Sequence, residues 1–111
     1  MRKICLIYTG GTIGMRQNVN GKLAPVDFEE LRKNIPALRL LPIELEVKTM
    51  DRPLDSSEMH PSVWVDLATE IYELHDLYDG FVVLHGTDTM AFTASALSFM
   101  LRGLKKPVII T

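Results

Sequence analysis

Two short stretches of the chain place threonine beside glycine directly after an apolar run. The first is Thr9-Gly10-Gly11-Thr12 and the second is Gly86-Thr87-Asp88-Thr89. Glycine loses more backbone freedom on folding than any other residue, so the glycines before Thr12 indicate that its position matters. A threonine hydroxyl is a weak nucleophile that needs a base or an electrostatic partner. Two threonines on facing loops, with Asp88 beside one, can attack a carbonyl and relay the proton, while backbone N–H groups of the turns hold the oxyanion.

A third polar segment, DRPLDSSEM, adds Asp55, Ser56 and Ser57. Each of the three segments also has a purely structural interpretation, as a tight strand exit or as a helix cap. The residues whose types and places fit a cap are Ser57, His60, Asp88 and Thr89. Taken singly, each structural interpretation is at least as good as the functional one. Three polar loops at one edge of a sheet favour a site.

Other chemistries fit the sequence less well. GGTIG departs from the dinucleotide pattern G-x-G-x-x-G because Thr12 occupies its third position, and no P-loop or G-x-S-x-G motif is present. His60, His75 and His85 lack metal-ligand spacing. We expect His75 to be solvated and His85 to pack or to orient its loop rather than to act as a base. No metal and no cofactor is predicted.

Alternating short apolar runs and helical patterns would position these loops. Strands are predicted over residues 3–8, 43–50, 81–85 and 107–111, and a loop or loose hairpin around Asn20-Gly21. Helices are predicted from a cap at Asp27 to a limit at Pro36, over 60–79 with an apolar stripe that includes Leu77, and over 90–104. This order predicts a doubly wound α/β fold, of the Rossmann-like or flavodoxin-like kind, with a parallel sheet. Ligands bind beyond the carboxyl ends of such strands, where all three polar loops begin.

Composition excludes several classes of protein. The 111 residues are 47% hydrophobic and 23% charged, with a formal net charge of −2. This balance argues against a nucleic-acid or anionic-membrane surface, and no apolar run is long enough to span a bilayer. The apolar part of the N-terminus is too short for a signal peptide, which predicts a cytoplasmic protein. The single cysteine, Cys5, lies in an apolar strand and is expected to be a buried structural residue.

The last predicted strand is apolar on both faces and ends with the chain at Thr111. We therefore expect the chain to be the front of a longer protein. The alternative is a four-stranded mini-domain that ends in an edge strand.

The motifs TGGTI, residues 9–13, and HGTDT, residues 85–89, resemble the two motifs of the bacterial-type L-asparaginase family. The continuation through MAFTASALSFML to KPVIIT is similar as well, so the resemblance covers essentially the whole chain. GGTIGM and the lack of a signal peptide are most similar to the type I, cytoplasmic branch. The resemblance implies that residues 1–111 are an incomplete N-terminal asparaginase domain, and that a smaller C-terminal domain is absent from them.

The resemblance also implies a role for each matching residue. Thr12 matches the nucleophile that forms an acyl-enzyme with the amide carbonyl of L-asparagine, and Thr87 matches the second catalytic threonine. Asp88 matches the acidic residue that binds the substrate's α-amino group and belongs to a Thr-Lys-Asp relay. The remaining substrate-binding residues that it implies are Ser56 and Ser57, which match the loop that holds the α-carboxylate, with Gly11 and Gly86.

Two departures from the family pattern concern activation and completeness. The segment RQNVNGKLAPV lacks the tyrosine that the family commonly carries near the nucleophile, and Lys22 or Leu23 occupies that region. The relay lysine is expected beyond Thr111, because Lys105 and Lys106 precede the last strand at the opposite edge of the sheet. Family sites are completed by a neighbouring subunit, which implies a homodimer or homotetramer.

Three functions follow from these observations, in this order. The first is an amidohydrolase that converts L-asparagine to L-aspartate and ammonia through a threonyl ester. The second is an asparaginase-like subunit that supplies ammonia to a tRNA-dependent amidotransferase. The third is a domain that binds an amino acid on the same loops without turning it over.

Overall fold

The computed structural model describes residues 1–9, 15–17, 23–25, 33, 35–50 and 60–111. In this part of the chain six strands and three helices are defined. The strands are β1 (Arg2–Tyr8), β2 (Met15–Gln17), β3 (Leu23–Pro25), β4 (Ile43–Thr49), β5 (Gly80–Leu84) and β6 (Val108–Ile110). The helices are α1 (Pro36–Leu40), α2 (Pro61–Leu74) and α3 (Met90–Met100).

Four of the described strands form a parallel sheet in the order β4-β1-β5-β6. The connection from β1 to β4 runs one way across the sheet, and the connections from β4 to β5 and from β5 to β6 run the other way. The direction therefore reverses between β1 and β5, which makes the gap beyond their carboxyl ends the switch point where open α/β sheets bind ligands. The predicted α/β class with a parallel sheet is confirmed.

One face of the sheet packs against α2 and α3. Cys5 is paired with Phe81 and Ile7 with Val83, so their side chains lie side by side, and all four are buried. The helices contribute the buried apolar residues Leu67, Ala68, Ile71 and Leu97 to the same core. Burial raises the pKa of the Cys5 thiol to about 11, so the expected structural role of this cysteine is confirmed.

Strand β6 is an outermost strand of the described sheet. Val108 and Ile110 pack against the core, whereas Ile109, which points to the other face, is 57% exposed. The predicted apolar strand is present, and one of its two faces is covered among the described residues.

Helix α2 ends five residues before the predicted limit. After Leu74 the chain turns, and Asp79 is held at the start of β1 by its backbone N–H, which donates to the Lys3 carbonyl at 2.7 Å. Leu77 consequently lies outside the apolar stripe and is 61% exposed. Helix α3 likewise ends at Met100 instead of residue 104, in a turn where Gly103 has φ of +83°, a conformation that favours glycine.

Pro36 begins a further helix that was not predicted, and the extended backbone of Ile35 before it agrees with the predicted helix limit at Pro36. Pro36 occupies the first turn of α1, where a missing N–H costs no intrahelical hydrogen bond. Of the helix predicted before it, Lys33 is described and helical, and residues 27–32 and 34 lie outside the described part. The predicted hairpin is present as the antiparallel pair β2–β3, and its turn lies outside the described residues.

Candidate functional site

The carboxyl ends of the strands are tied together by backbone hydrogen bonds just beyond their last residues. The Thr9 N–H donates to the Leu84 carbonyl at 3.2 Å, and the Met50 N–H donates to the Tyr8 carbonyl at 3.1 Å. On the other side of β5, the His85 N–H donates to the Thr111 carbonyl at 2.8 Å. The strand exits therefore form one continuous edge, which we call the carboxyl edge.

Thr9 adds a side-chain bond at this edge. Its hydroxyl donates to the same Leu84 carbonyl at 2.7 Å, and the residue is buried. Thr9 is the first residue of the TGGT stretch, and Leu84 immediately precedes the HGTDT stretch. The chain positions from which these two motifs begin are thus fixed against each other by two hydrogen bonds.

The described part of the predicted site lies on the loop between β5 and α3. Gly86 is half-buried, and Thr87 and Asp88 are exposed. Thr89 occupies the N-cap position of α3, and its side chain makes no capping hydrogen bond. His60 is the N-cap of α2, where its Nδ1 lies 2.6 Å from the Ser62 hydroxyl and its side chain likewise makes no capping bond.

The other predicted site residues lie outside the described residues. Gly11 and Thr12 fall in the segment that follows Thr9, and Ser56 and Ser57 fall in the segment that follows Met50. Both segments start at the carboxyl edge, the first beside the strand that leads to Gly86 and the second one strand further along the sheet. Convergence of the three loops therefore remains a prediction, which the positions of their starting points support.

Beneath the loop lies a buried chain of three polar side chains. His85 Nδ1 is 2.6 Å from the Gly86 carbonyl, and His85 Nε2 is 2.8 Å from the Thr93 hydroxyl. The Trp64 indole N–H donates to the same hydroxyl at 2.8 Å. His85 and Thr93 are 2% and 0% exposed, so the bond between their side chains is shielded from water, whereas the bonds to Gly86 and from Trp64 are partly buried. The prediction that His85 packs or orients its loop is confirmed.

The directions of these hydrogen bonds determine the form of the imidazole. Because a carbonyl oxygen only accepts, His85 Nδ1 carries the hydrogen and donates to Gly86. In the neutral ring Nε2 is then an acceptor, so the Thr93 hydroxyl donates to His85 while it accepts from Trp64. Every member of the chain is satisfied, and no buried side-chain nitrogen or oxygen of the described residues lacks a partner.

Sequence reasoning missed Thr93 and Trp64 as members of this chain. In the sequence Trp64 is one of the apolar residues of the helix predicted over residues 60–79. A threonine within the otherwise small and apolar run MAFTASAL is the one signal available, because a buried hydroxyl requires a partner.

Lys106 lies at the opposite edge of the sheet, as expected. Its ammonium group donates to the carbonyl of His75, just beyond the end of α2. His75 is half-buried and its ring also contacts Asp76, so it is less exposed than predicted.

The described residues show no group of three or more His, Cys, Asp or Glu side chains that could hold a metal ion. Among the same residues, no helix is long and apolar enough to cross a membrane.

The comparison with protein families decides the relationship of the chain. A family model described as "Asparaginase, N-terminal" matches residues 3–111. The chain belongs to the asparaginase family. The resemblance carried by TGGTI and HGTDT is thereby confirmed over nearly the whole chain.

Proteins with curated descriptions are similar to this chain along its length. It is 45% identical over 117 residues to L-asparaginase 1 of Escherichia coli (strain K12), a match covering 99% of the chain and 33% of that protein. It is also 46% identical over 115 residues to a glutamyl-tRNA(Gln) amidotransferase subunit of Aeropyrum pernix, covering 98% of the chain and 26% of that protein.

The fold is that of the asparaginase family as well. The crystal structure of L-asparaginase I from Vibrio cholerae superimposes with a TM-score of 0.83 at 44% identity, covering 98% of this chain and 33% of that one. The chain thus spans about a third or less of the length of the relatives it matches.

Proposed function

We propose that the chain forms the N-terminal part of an enzyme that hydrolyses L-asparagine to L-aspartate and ammonia. The observation that carries this proposal is the arrangement of the carboxyl edge. Thr87 and Asp88 are exposed on the loop after β5, directly beside the strand end from which the TGGT stretch continues. The similarity to L-asparaginase 1 of E. coli supports the choice of substrate.

The proposed reaction has two steps through a threonyl ester. The Thr12 hydroxyl attacks the side-chain amide carbonyl, its proton passes to the amide nitrogen, and the C–N bond breaks to release ammonia. Water then attacks the ester, which releases L-aspartate and restores the hydroxyl. Backbone N–H groups at Gly11 and in the Gly86 turn are suited to stabilise the oxyanion of each step.

The other predicted residues bind the substrate and move the proton. Thr87 and Asp88 form part of the relay, and the Asp88 carboxylate also pairs with the substrate's α-ammonium group. Ser56 and Ser57 hold its α-carboxylate through hydroxyl and backbone donors. The position of Asp88 at the solvent-exposed edge leaves its carboxylate accessible to a ligand.

Further groups must complete this site. The relay lysine and the residue that activates Thr12 are proposed to lie outside these 111 residues, in a smaller C-terminal domain or a neighbouring subunit. A cytoplasmic homodimer or homotetramer follows from the same proposal. Lys105 and Lys106 do not serve in the relay, because the contact of Lys106 with His75 holds this part of the chain at the other edge.

The test is the release of ammonia and aspartate from L-asparagine by the complete enzyme alone. We expect equal amounts of the two products, and we expect Thr12→Ala to reduce their formation by at least about 100-fold. Thr69→Val serves as a control, since Thr69 is an exposed threonine on α2. Unchanged turnover in Thr12→Ala would refute the assigned nucleophile.

A second candidate is an ammonia-supplying subunit of a tRNA-dependent amidotransferase. It is favoured by the 46% identity to the amidotransferase subunit from Aeropyrum pernix. Such a subunit would release ammonia fully only with its partner subunit and charged tRNA present. Calorimetric binding of asparagine without any turnover would instead indicate the third possibility, a binding domain.

A further inference from the structure

We propose that Thr93 is a positioning residue for this reaction. Through His85 it holds the Gly86 carbonyl, and so fixes the loop that presents Thr87 and Asp88. The proposal rests on the proposed function for its kinetic consequences. Its structural part rests on the buried chain of hydrogen bonds from Trp64 to Gly86.

The side chains of His85 and Thr93 join the two ends of the loop that carries Thr87 and Asp88. His85 stands at the end of β5, and Thr93 lies in the first turn of α3, where its N–H donates to the Thr89 carbonyl at 3.1 Å. The bond of 2.8 Å between their side chains therefore closes the loop at its base. Thr87 and Asp88 lie between these two residues and are exposed, so packing around their own side chains restrains them little.

Thr93 orients the His85 ring, and the ring in turn orients the Gly86 carbonyl. With its Nε2 accepting from Thr93, the His85 ring is held in one tautomer and one rotation, which aims Nδ1–H at Gly86. The hydrogen bond of 2.6 Å to the Gly86 carbonyl then fixes the peptide plane that leads into Thr87. Removal of the Thr93 hydroxyl leaves the buried His85 Nε2 and the Trp64 N–H without this partner, so the imidazole ring is free to turn.

Trp64 links the same hydrogen-bonded chain to α2. Trp64 stands in the first turn of α2, which follows the segment that carries Ser56 and Ser57. Its bond to Thr93 thus connects that helix to the loop with Thr87 and Asp88. Trp64 is also the one tryptophan of the 111 residues, so its fluorescence reports on this chain of bonds.

The experiment compares Thr93→Val, which keeps the shape and loses the hydroxyl, with Thr93→Ser, which keeps the hydroxyl. In the complete enzyme we expect Thr93→Val to raise KM for L-asparagine and to lower kcat, each by about 3- to 10-fold. Thr93→Ser should restore both values to within about 2-fold of the parent enzyme. Thr69→Val, on the exposed side of α2, is the matched control.

A fluorescence measurement accompanies the kinetics. The emission of Trp64, taken as the difference from a Trp64→Phe variant, should shift in Thr93→Val and not in Thr69→Val. A purely structural role would lower the amount of folded enzyme and so the apparent kcat, but it would leave KM unchanged. An unchanged KM in a folded Thr93→Val enzyme would overturn the proposal.

Two further arrangements keep the test decisive. If Thr93→Val does not fold, His85→Gln replaces it, because glutamine places its amide near the Nε2 position and has no donor at the Nδ1 position that meets the Gly86 carbonyl. The same rise in KM is expected. If the parent enzyme does not hydrolyse L-asparagine, the proposed function fails separately. The affinity for L-aspartate, measured by calorimetry, should then fall by the same factor in Thr93→Val, and an equal affinity would refute positioning.

Discussion

The two edges of the sheet hold the same strands together by different means. At the edge opposite to the carboxyl edge, around the starts of the strands, charged side chains pair with each other near solvent; we call it the amino edge. At the carboxyl edge, hydroxyl, imidazole, indole and carbonyl groups form hydrogen bonds, and the exposed polar residues lie above them. The difference separates residues that only stabilise the fold from residues that can meet a ligand.

At the amino edge, side chains link β1, β4 and the turn that leads into β5, and we call these contacts the clamp. Lys3 Nζ lies 2.8 Å from Glu46 Oε1, and the Tyr78 hydroxyl donates to Glu46 Oε2 at 2.5 Å. The Lys3 backbone N–H also donates to the Asp79 carboxylate at 2.7 Å. Each charged group of this clamp already has a hydrogen-bond partner within the chain, so the clamp is suited to stabilising the fold rather than to binding a substrate.

At the carboxyl edge, buried and exposed residues have different roles. Thr9, His85 and Thr93 are buried and use their polar atoms to hold backbone or one another. Thr87 and Asp88 are exposed above them. Substitutions in the two edges should therefore differ in kind: those at the amino edge should change stability alone, and those at the carboxyl edge should change kinetics.

A large effect on the kinetics is expected for Asp88→Asn. Loss of the carboxylate removes the partner proposed for the substrate's α-ammonium group, which should lower kcat/KM for L-asparagine by about 30-fold or more. Asp76→Asn is the control, since Asp76 is a strongly exposed carboxylate on the turn after α2. Equal steady-state kinetics for the two variants would contradict the proposed role of Asp88 in substrate binding.

A smaller effect is expected for Thr9→Val. The substitution removes the hydroxyl that donates to the Leu84 carbonyl and keeps the side chain's shape, so the two loop origins become less firmly fixed. We expect kcat/KM to fall by about 3- to 10-fold. Thr9→Ser, which retains the hydroxyl, should recover most of the loss, and failure to do so would indicate a packing effect.

Tyr78→Phe should change stability and leave the kinetics unchanged. The buried phenol loses its hydrogen bond to Glu46, which should lower the thermal midpoint of unfolding by a few degrees. Tyr72→Phe, at a largely exposed tyrosine of α2, is the control and should melt as the parent does. A changed KM in Tyr78→Phe would contradict the separation of the two edges.

The smallest effect is a dependence of stability on pH at the amino edge. The hydrogen bond with Lys3, and then that from Tyr78, lowers the pKa of Glu46 below its usual value of 4.5. Because the folded state has the lower pKa, the stabilisation is complete above about pH 4.5 and is lost as the pH falls through the folded-state value. Melting curves on the acid side should therefore decline less steeply for Glu46→Gln than for the parent protein; parallel curves would contradict this assignment.

The pair of Lys3 and Glu46 also predicts how the stability of the protein changes at alkaline pH. Its hydrogen bond with Glu46 raises the pKa of Lys3 above 10.5. The corresponding stabilisation is complete below about pH 10.5 and is lost as the pH rises through the raised value.

Much of this arrangement could be predicted from the sequence because it depends on local patterns. The apolar runs of β1, β5 and β6 and the alternating pattern of β4 predicted a parallel sheet, and a parallel sheet predicts that the three polar loops begin at one edge. The pattern could not give the end of α2, because Asp79 is held by Lys3, 76 residues away in sequence. It also could not reveal the chain from Trp64 to His85, since bonds between a helix, a second helix and a strand end appear only when the elements pack.

The central claim is that chemistry lies at the carboxyl edge and stability at the amino edge. The most direct test measures kcat/KM for L-asparagine in Thr87→Val and Tyr78→Phe, together with the unfolding midpoint of each. We predict that Thr87→Val loses at least about 100-fold in kcat/KM and melts within a few degrees of the parent. Tyr78→Phe should lose stability and keep its kcat/KM. A Thr87→Val enzyme with parental kcat/KM, or a Tyr78→Phe enzyme that is folded and inactive, would contradict the account.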